Sequence, residues 1–155
     1  MNVGFVGVGA MGNHMATHCV KSGKFDAVYA YDLSKAAVNK MVKKGAKASG
    51  SLKHLGGVCD VIIIMVGYDD QVRQVVTDLA KSKPKTGGVL VITATSHPDM
   101  ILEAAAIAKK GGLKIIDAPV CFGLGGARDG TLASMVGGAA ADVKKATPAP
   151  GDATS

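Results

Sequence analysis

The run Gly7-Val8-Gly9-Ala10-Met11-Gly12 stands between an apolar stretch, Val3 to Gly7, and an amphipathic one, Ala10 to Ser22. A G-x-G-x-x-G spacing says little by itself. Directly after a strand and at the opening of a helix it has a mechanical reading. Gly7 permits a tight turn, the bare backbone at Gly9 leaves room for a close approach, and Gly12 lets helix and strand pack tightly. Unpaired N–H groups around Ala10 and Met11 then supply an anion site at the helix N-terminus.

Twenty residues past Gly12, at the end of the next apolar run, stands Asp32. A carboxylate there accepts hydrogen bonds from ribose hydroxyls and repels a 2′-phosphate, so the set reads as a dinucleotide site that takes NAD in preference to NADP. Lys35 nearby is the one feature that favours the phosphate. Taken alone, Asp32 reads better as a turn or cap residue; its spacing and strand position, with the glycines, reverse that.

Outward from this unit, apolar runs of four to six residues alternate with amphipathic segments of ten to fifteen. That is the pattern of parallel strands joined by crossover helices, an α/β, Rossmann-type doubly wound fold with a mostly parallel sheet. Strands are expected at Val3 to Gly7, Ala27 to Tyr31, Val61 to Val66, Val89 to Thr93 and Ile115 to Asp117, with a weak one near Ala46 to Ala48. Continuous apolar runs suit strands buried on both faces. In the first helix Met11, Met15, Ala16, Cys19 and Val20 share one face and His14, Thr17, His18 and Lys21 the other, with Gly23 as C-cap. Ser34 caps a second helix that buries Ala37, Val38, Met41 and Val42 and stops at Gly45. Val72, Val75, Val76 and Leu79 form the stripe of another, with Asp69 and Asp70 at its positive end. Pro98 opens a fourth that ends at Lys109, Lys110 and Gly111. Ala139 to Ala146 can form one more. The expected domain is 1–147, followed by a flexible tail, 148–155, of small and polar composition.

The bulk properties agree with this. The chain has 155 residues, 48% hydrophobic and 4% aromatic, which suits one domain with an aliphatic core. The net charge of +6 comes mainly from lysines near helix ends, Lys43, Lys44, Lys81, Lys109 and Lys110, where cations oppose the helix dipole. Only two arginines, Arg73 and Arg128, and no interleaved aromatics argue against nucleic acid. The charge suits an anionic cofactor or a small acidic substrate. The longest purely apolar stretch, Val61 to Val66, is too short to span a bilayer, and no leader precedes the first strand, so a cytoplasmic protein without membrane contact is expected. Cys19, Cys59 and Cys121 are an odd set without metal-ligand spacing and read as reduced thiols.

The opening Gly4-Phe5-Val6-Gly7-Val8-Gly9-Ala10-Met11-Gly12, then Met15-Ala16, resembles that of the β-hydroxyacid dehydrogenases, the 3-hydroxyisobutyrate dehydrogenase-like members of the 6-phosphogluconate dehydrogenase NAD-binding superfamily. The stretch from Asp117-Ala118-Pro119-Val120-Cys121-Phe122-Gly123 to Gly130-Thr131-Leu132 resembles that family's substrate loop, D-A-P-V-S-G-G-x-x-G-A-x-x-G-T-L, in register. The resemblance implies hydride transfer between nicotinamide and a 3-hydroxy acid or related carbonyl acid. It implies that Cys121, Phe122 and Gly123 face the substrate carboxylate, with backbone N–H groups as donors. Cys121 replaces the family serine and Phe122 its first glycine, which implies a bulkier, less polar pocket. Met65 and Val66 fall where the family's strand end lies beside the cofactor, Val72 where a residue packs near adenine, and Thr95 where a threonine meets the nicotinamide ribose; the neighbouring serine is Ala94. For Val66 and Val72 a plain core or helix-face role stays open.

The resemblance covers essentially the whole chain but only the N-terminal half of a family member. The family's catalytic lysine, in a G-x-G-x-x-x-K-x-x-x-N setting within an all-helical C-terminal domain, has no counterpart in this sequence. Lys144 and Lys145 read as solvated helix residues, so no catalytic residue is assigned and the chain is expected to bind cofactor without turning over. A truncated chain and a naturally short one both fit, and the surface that the C-terminal domain would cover predicts self-association. A non-catalytic NAD(H)-sensing module and the cofactor half of an imine-reductase-like enzyme stay open. His14 and His18 have zinc-compatible spacing but no third ligand, so no metal site is expected and they read as exposed histidines. His97 reads as a loop residue, with a substrate contact as the alternative. Cys19 and Cys59 fit buried small hydrophobes, and Cys121 has no paired histidine to make it a nucleophile.

Overall fold

In the computed structural model, which describes residues 1–147, the chain runs β1 (Asn2–Val6), α1 (Ala10–Ser22), β2 (Ala27–Tyr31), α2 (Lys35–Lys43), β3 (Lys47–Ala48), α3 (Leu52–Val58), β4 (Val61–Ile64) and α4 (Asp69–Lys81). It continues through β5 (Val89–Ile92), α5 (Pro98–Lys110), β6 (Lys114–Asp117), β7 (Val120–Cys121), α6 (Gly123–Asp129), β8 (Ala133–Ser134) and α7 (Ala140–Ala146). The tail expected at 148–155 lies outside the described residues. Strands β1 to β6 form one parallel sheet in the order β3-β2-β1-β4-β5-β6, with β7 and β8 as a separate antiparallel pair.

This order follows from burying both faces of an apolar sheet. One face carries Val3, Phe5, Val28, Ala30, Val61 and Val89 against Ala16 of α1 and Val38 and Met41 of α2, with Val143 and Ala146 of α7 packed alongside. The other carries Val6, Ile62, Ile64, Leu90 and Ile92 against Leu55 of α3, Val72, Val76 and Leu79 of α4, and Met100, Ala104 and Ala108 of α5. The winding reverses between β1 and β4. The crevice at that reversal, above the carboxyl ends of the strands, is where open α/β sheets bind ligands.

Every expected strand and helix is present, with several strands ending early. β1 stops at Val6, β4 at Ile64 and β5 at Ile92, because the next residues leave the sheet to build the crevice loops. Helices α3 and α6 were not expected. Gly56 and Gly57 lower the helix propensity of α3, and Gly123, Gly125 and Gly126 that of α6. Capping and packing offset this in α3: the Ser51 side chain accepts from the His54 N–H, and a Cβ on Gly56 would lie only 3.3 Å from Pro84. Among the described residues no helix is long and apolar enough to cross a membrane.

At the amino ends of the strands, Asp60 ties β1 to β4. Its carboxylate accepts from the Asn2 N–H at 2.8 Å and from Lys85 Nζ at 2.6 Å. Burial pushes the Asp60 carboxyl up, but the Lys85 and Asn2 hydrogen bonds and the Lys85 charge outweigh it and leave it below its ordinary value. A depressed carboxylate stabilises the fold fully above the usual carboxylate range and ceases to do so as pH falls through the lowered value. Asp60→Asn is therefore expected to cost about 1 kcal/mol in urea unfolding at pH 7. The gap to the unsubstituted chain should close as pH falls below the usual carboxylate range; a gap independent of pH would contradict this.

Candidate cofactor-binding site

Two of the three glycines of the first turn are required by close backbone approach, and the third leaves open space. Gly7 has φ +89°, and a Cβ there would lie 2.1 Å from the Met65 carbonyl oxygen. A Cβ on Gly12 would lie 1.9 Å from the carbonyl oxygen of Gly7. At Gly9 a Cβ would meet nothing within 4 Å, so the space it leaves is open to a ligand. Gly9 is also the N-cap of α1 and offers no side-chain cap, which leaves the first-turn N–H groups of Ala10 and Met11 for an anion.

Asp32 fills the turn-and-cap role considered for it. Its Oδ2 accepts from the Val8 N–H at 2.9 Å and its Oδ1 from the Ser34 N–H at 2.8 Å, so it caps the turn and fastens the glycine loop to the end of β2. Each oxygen keeps lone-pair capacity for a ribose hydroxyl. Asp32 opens onto a cleft of about 380 Å³ that also meets Gly7, Gly9, Met65 and Val66. The remaining lining comes from Val6, Tyr31, Leu33, Leu52, Gln71, Gln74, Val75 and Asp78.

Other expected contacts fall elsewhere. Val72 is 0% exposed and belongs to the core under α4, so it does not reach the cleft; Val75, three residues on, is the α4 valine that does. Ala10 and Met11 stand at the α1 N-terminus just outside the cleft lining, and Ala10 borders a neighbouring groove with Ser34 and Lys40. Lys35 is exposed and lines neither space. Among the described residues, those lining the cleft include two carboxylates, Asp32 and Asp78, and no lysine or arginine.

Thr95, Cys121, Phe122 and Gly123 lie beyond the carboxyl ends of β5 and β6, on the same side of the sheet as the glycine turn, and do not line the cleft. Sequence reasoning missed Thr93, which is buried; its Oγ1 donates to the Ile64 carbonyl at 3.0 Å and lies 3.2 Å from Met65 Sδ, positioning that side chain at the cleft mouth. His18 is exposed, as expected, and makes in addition a contact that its sequence position does not mark. Nε2 lies 3.1 Å from the Ala127 carbonyl and 3.0 Å from that of Arg128, so an Nε2–H donor ties α1 to the end of α6 behind the loop. Burial pushes the Cys19 thiol up to about 11; burial, then the Asp60 charge, takes Cys59 to about 12, keeping both protonated. Burial also raises the Asp117 carboxyl above its ordinary value at the end of β6.

Residues 2–151 match the family described as the NAD binding domain of 6-phosphogluconate dehydrogenase, and the chain belongs to that family. An uncharacterized oxidoreductase of Bacillus subtilis is 38% identical over 88% of this chain and 47% of its own length. An NAD-dependent L-serine dehydrogenase of Pseudomonas aeruginosa is 36% identical over 94% of this chain and 49% of its own. The solved structure of Mycobacterium tuberculosis 3-hydroxyisobutyrate dehydrogenase with L-serine superposes with a TM-score of 0.88 at 28% identity, over 95% of this chain and 50% of that one. The chain thus spans about half the length of these relatives. Imine reductases share the fold at 18–20% identity, a likeness that reaches the fold alone.

The substitution of Phe122 for glycine in the loop motif has a cost visible in the backbone. Phe122 has φ 78° and ψ 12°, the left-handed region that favours glycine, while its ring is 71% exposed. A non-glycine residue there costs about 1–2 kcal/mol. Phe122→Gly is expected to stabilise the chain by up to about 1 kcal/mol in urea unfolding, the relief being partly offset by glycine's greater unfolded-state entropy. Phe122→Ala, which keeps a Cβ, should show no such gain.

Proposed function

We propose that the chain is the cofactor half of an NAD-dependent oxidoreductase of the β-hydroxyacid dehydrogenase type, working on a 3-hydroxy acid or related carbonyl acid. The observation that carries this reading is the cleft that joins Gly7 and Gly9 to a doubly anchored Asp32. Its parts fit a dinucleotide: open backbone at Gly9 and the α1 N-terminus for the pyrophosphate, the Asp32 carboxylate for the adenosine ribose. When bound, NAD supplies the hydride-accepting ring. The chain's own residues hold it: Met65 and Val66 close the side toward β4, and the loops bearing Thr95 and Cys121 stand at the nearby strand ends.

Oxidising a hydroxyl also needs a base for its proton. Lys145 is not placed for this, since its Nζ donates to the carbonyl of Gly87, which precedes β5 at the opposite end of the sheet. We assign proton transfer to the part of the relatives' length that this chain does not span. Exposed Phe122, Leu124, Met135 and Val136 support the further reading that it self-associates on the loop side. A non-catalytic NAD(H)-sensing module uses the same cleft, and turnover is what separates the two.

Titration of the purified chain with NADH and NADPH, followed by cofactor fluorescence, is expected to show saturable binding with a clear preference for NADH. Asp32→Ala should weaken NADH by about tenfold and narrow that preference, because the ribose contact and the repulsion of a 2′-phosphate are lost together. Failure of both cofactors to bind, or a preference for NADPH, would overturn the reading.

A further inference from the structure

Beyond Asp32 the cleft continues between Leu52, at the head of α3, and the flank of α4 that presents Gln74, Val75 and Asp78. If the pyrophosphate lies at Gly9 and the ribose at Asp32, this is the space left for the base. The reading therefore rests on the NAD site proposed above. Leu52 and Val75 give it apolar walls, and the polar groups on the α4 side are not equivalent. Gln71 is already committed, its Oε1 accepting from the N–H groups of Gly67 and Tyr68 at 2.9 and 3.2 Å. Gln74 is not. Its Nε2 donates one hydrogen to Asp78 Oδ1 at 2.9 Å, which leaves a second amide hydrogen and the Oε1 acceptor uncommitted in the plane of one amide.

A donor beside an acceptor, held in one plane, is the complement of an adenine edge, where the 6-amino group donates next to a ring nitrogen that accepts. We propose that Gln74, with its amide fixed by Asp78, reads the 6-amino edge of the cofactor's adenine and makes the cleft selective for adenine over a 6-oxo purine. In a 6-oxo base the carbonyl replaces the amino donor, and the Gln74 Oε1 then faces a second acceptor. Asp78 acts through Gln74 and is a positioning residue. Both side chains are exposed on α4, so replacing them leaves the packing beneath the helix untouched.

Calorimetric titration of the purified chain with NAD and with nicotinamide hypoxanthine dinucleotide tests this directly. The unsubstituted chain should bind NAD about five- to tenfold more tightly than the hypoxanthine analogue, the effect of one well-placed hydrogen bond. Gln74→Met, which keeps the bulk and removes the amide, should weaken NAD and bring the ratio to about one; Asp78→Ala should reduce the ratio part of the way. Equal affinities in the unsubstituted chain, or a ratio that survives Gln74→Met, would overturn the adenine reading and leave NAD binding intact. Absence of NAD binding altogether would overturn both.

Discussion

The approach of backbone to backbone at the first turn constrains everything around it. The carbonyl of Gly7 occupies the place of a side chain at Gly12, and the carbonyl of Met65 the place of one at Gly7. These contacts seat α1 on β1 and bring β1 against the end of β4, at the point where the winding of the sheet reverses. The crevice exists because these backbones touch below it. Asp32 is tied into the same unit through Val8, so the carboxylate proposed to meet a ribose also fixes the loop proposed to meet a pyrophosphate. Loosening one element of this corner moves the others.

Most of the architecture is legible in the sequence because the rules that write it are local. Alternating apolar runs and amphipathic segments, bounded by Ser34 and Gly23 as caps and by Pro98 in a first turn, suffice for β1, β2, β4, β5, β6 and the longer helices. What escapes is decided by tertiary contact. The glycine-rich segments at α3 and α6 have poor intrinsic helicity, and they become helices where a missing Cβ lets Gly56 lie close to Pro84 in one case and where His18 of α1 holds the carbonyls of Ala127 and Arg128 in the other. The same holds within the site. The stripe Val72, Val75, Val76 and Leu79 is plain in the sequence, but the rotation of α4 on the sheet decides that Val72 is core and Val75 is cleft. Gln74 and Asp78, on the polar side of that helix, carry no sequence mark that separates them from an ordinary solvated face.

Electrostatics shows a similar division between global and local. The net charge of +6 invites an anionic ligand, yet the lysines sit mostly near helix ends and the charged residues lining the cleft are Asp32 and Asp78. Attraction at long range and selection at contact are therefore carried by different residues. The distributed lysines favour encounter with any dinucleotide. In the proposed site the N–H groups opening α1 suit a pyrophosphate of either kind, and selection against the extra phosphate of NADP falls to the Asp32 carboxylate.

The loop after β6 is built on a different principle from the glycine turn. The glycine turn is glycine wherever the backbone demands it. In the loop after β6 the left-handed position is held by Phe122, whose ring lies mostly in solvent. A strained residue in a sparsely populated conformation persists only where its surroundings over-determine it, and here they do. The β7–β8 pairing fixes the loop before it and α6 holds it from behind, with His18 anchoring the end of that helix to α1. The loop is thereby held beyond the carboxyl ends of the strands by the same helix whose N-terminus follows the glycine turn. Geometry at this loop is inherited from the corner that α1 builds with β1, and Phe122 bears there a backbone cost that a glycine would not.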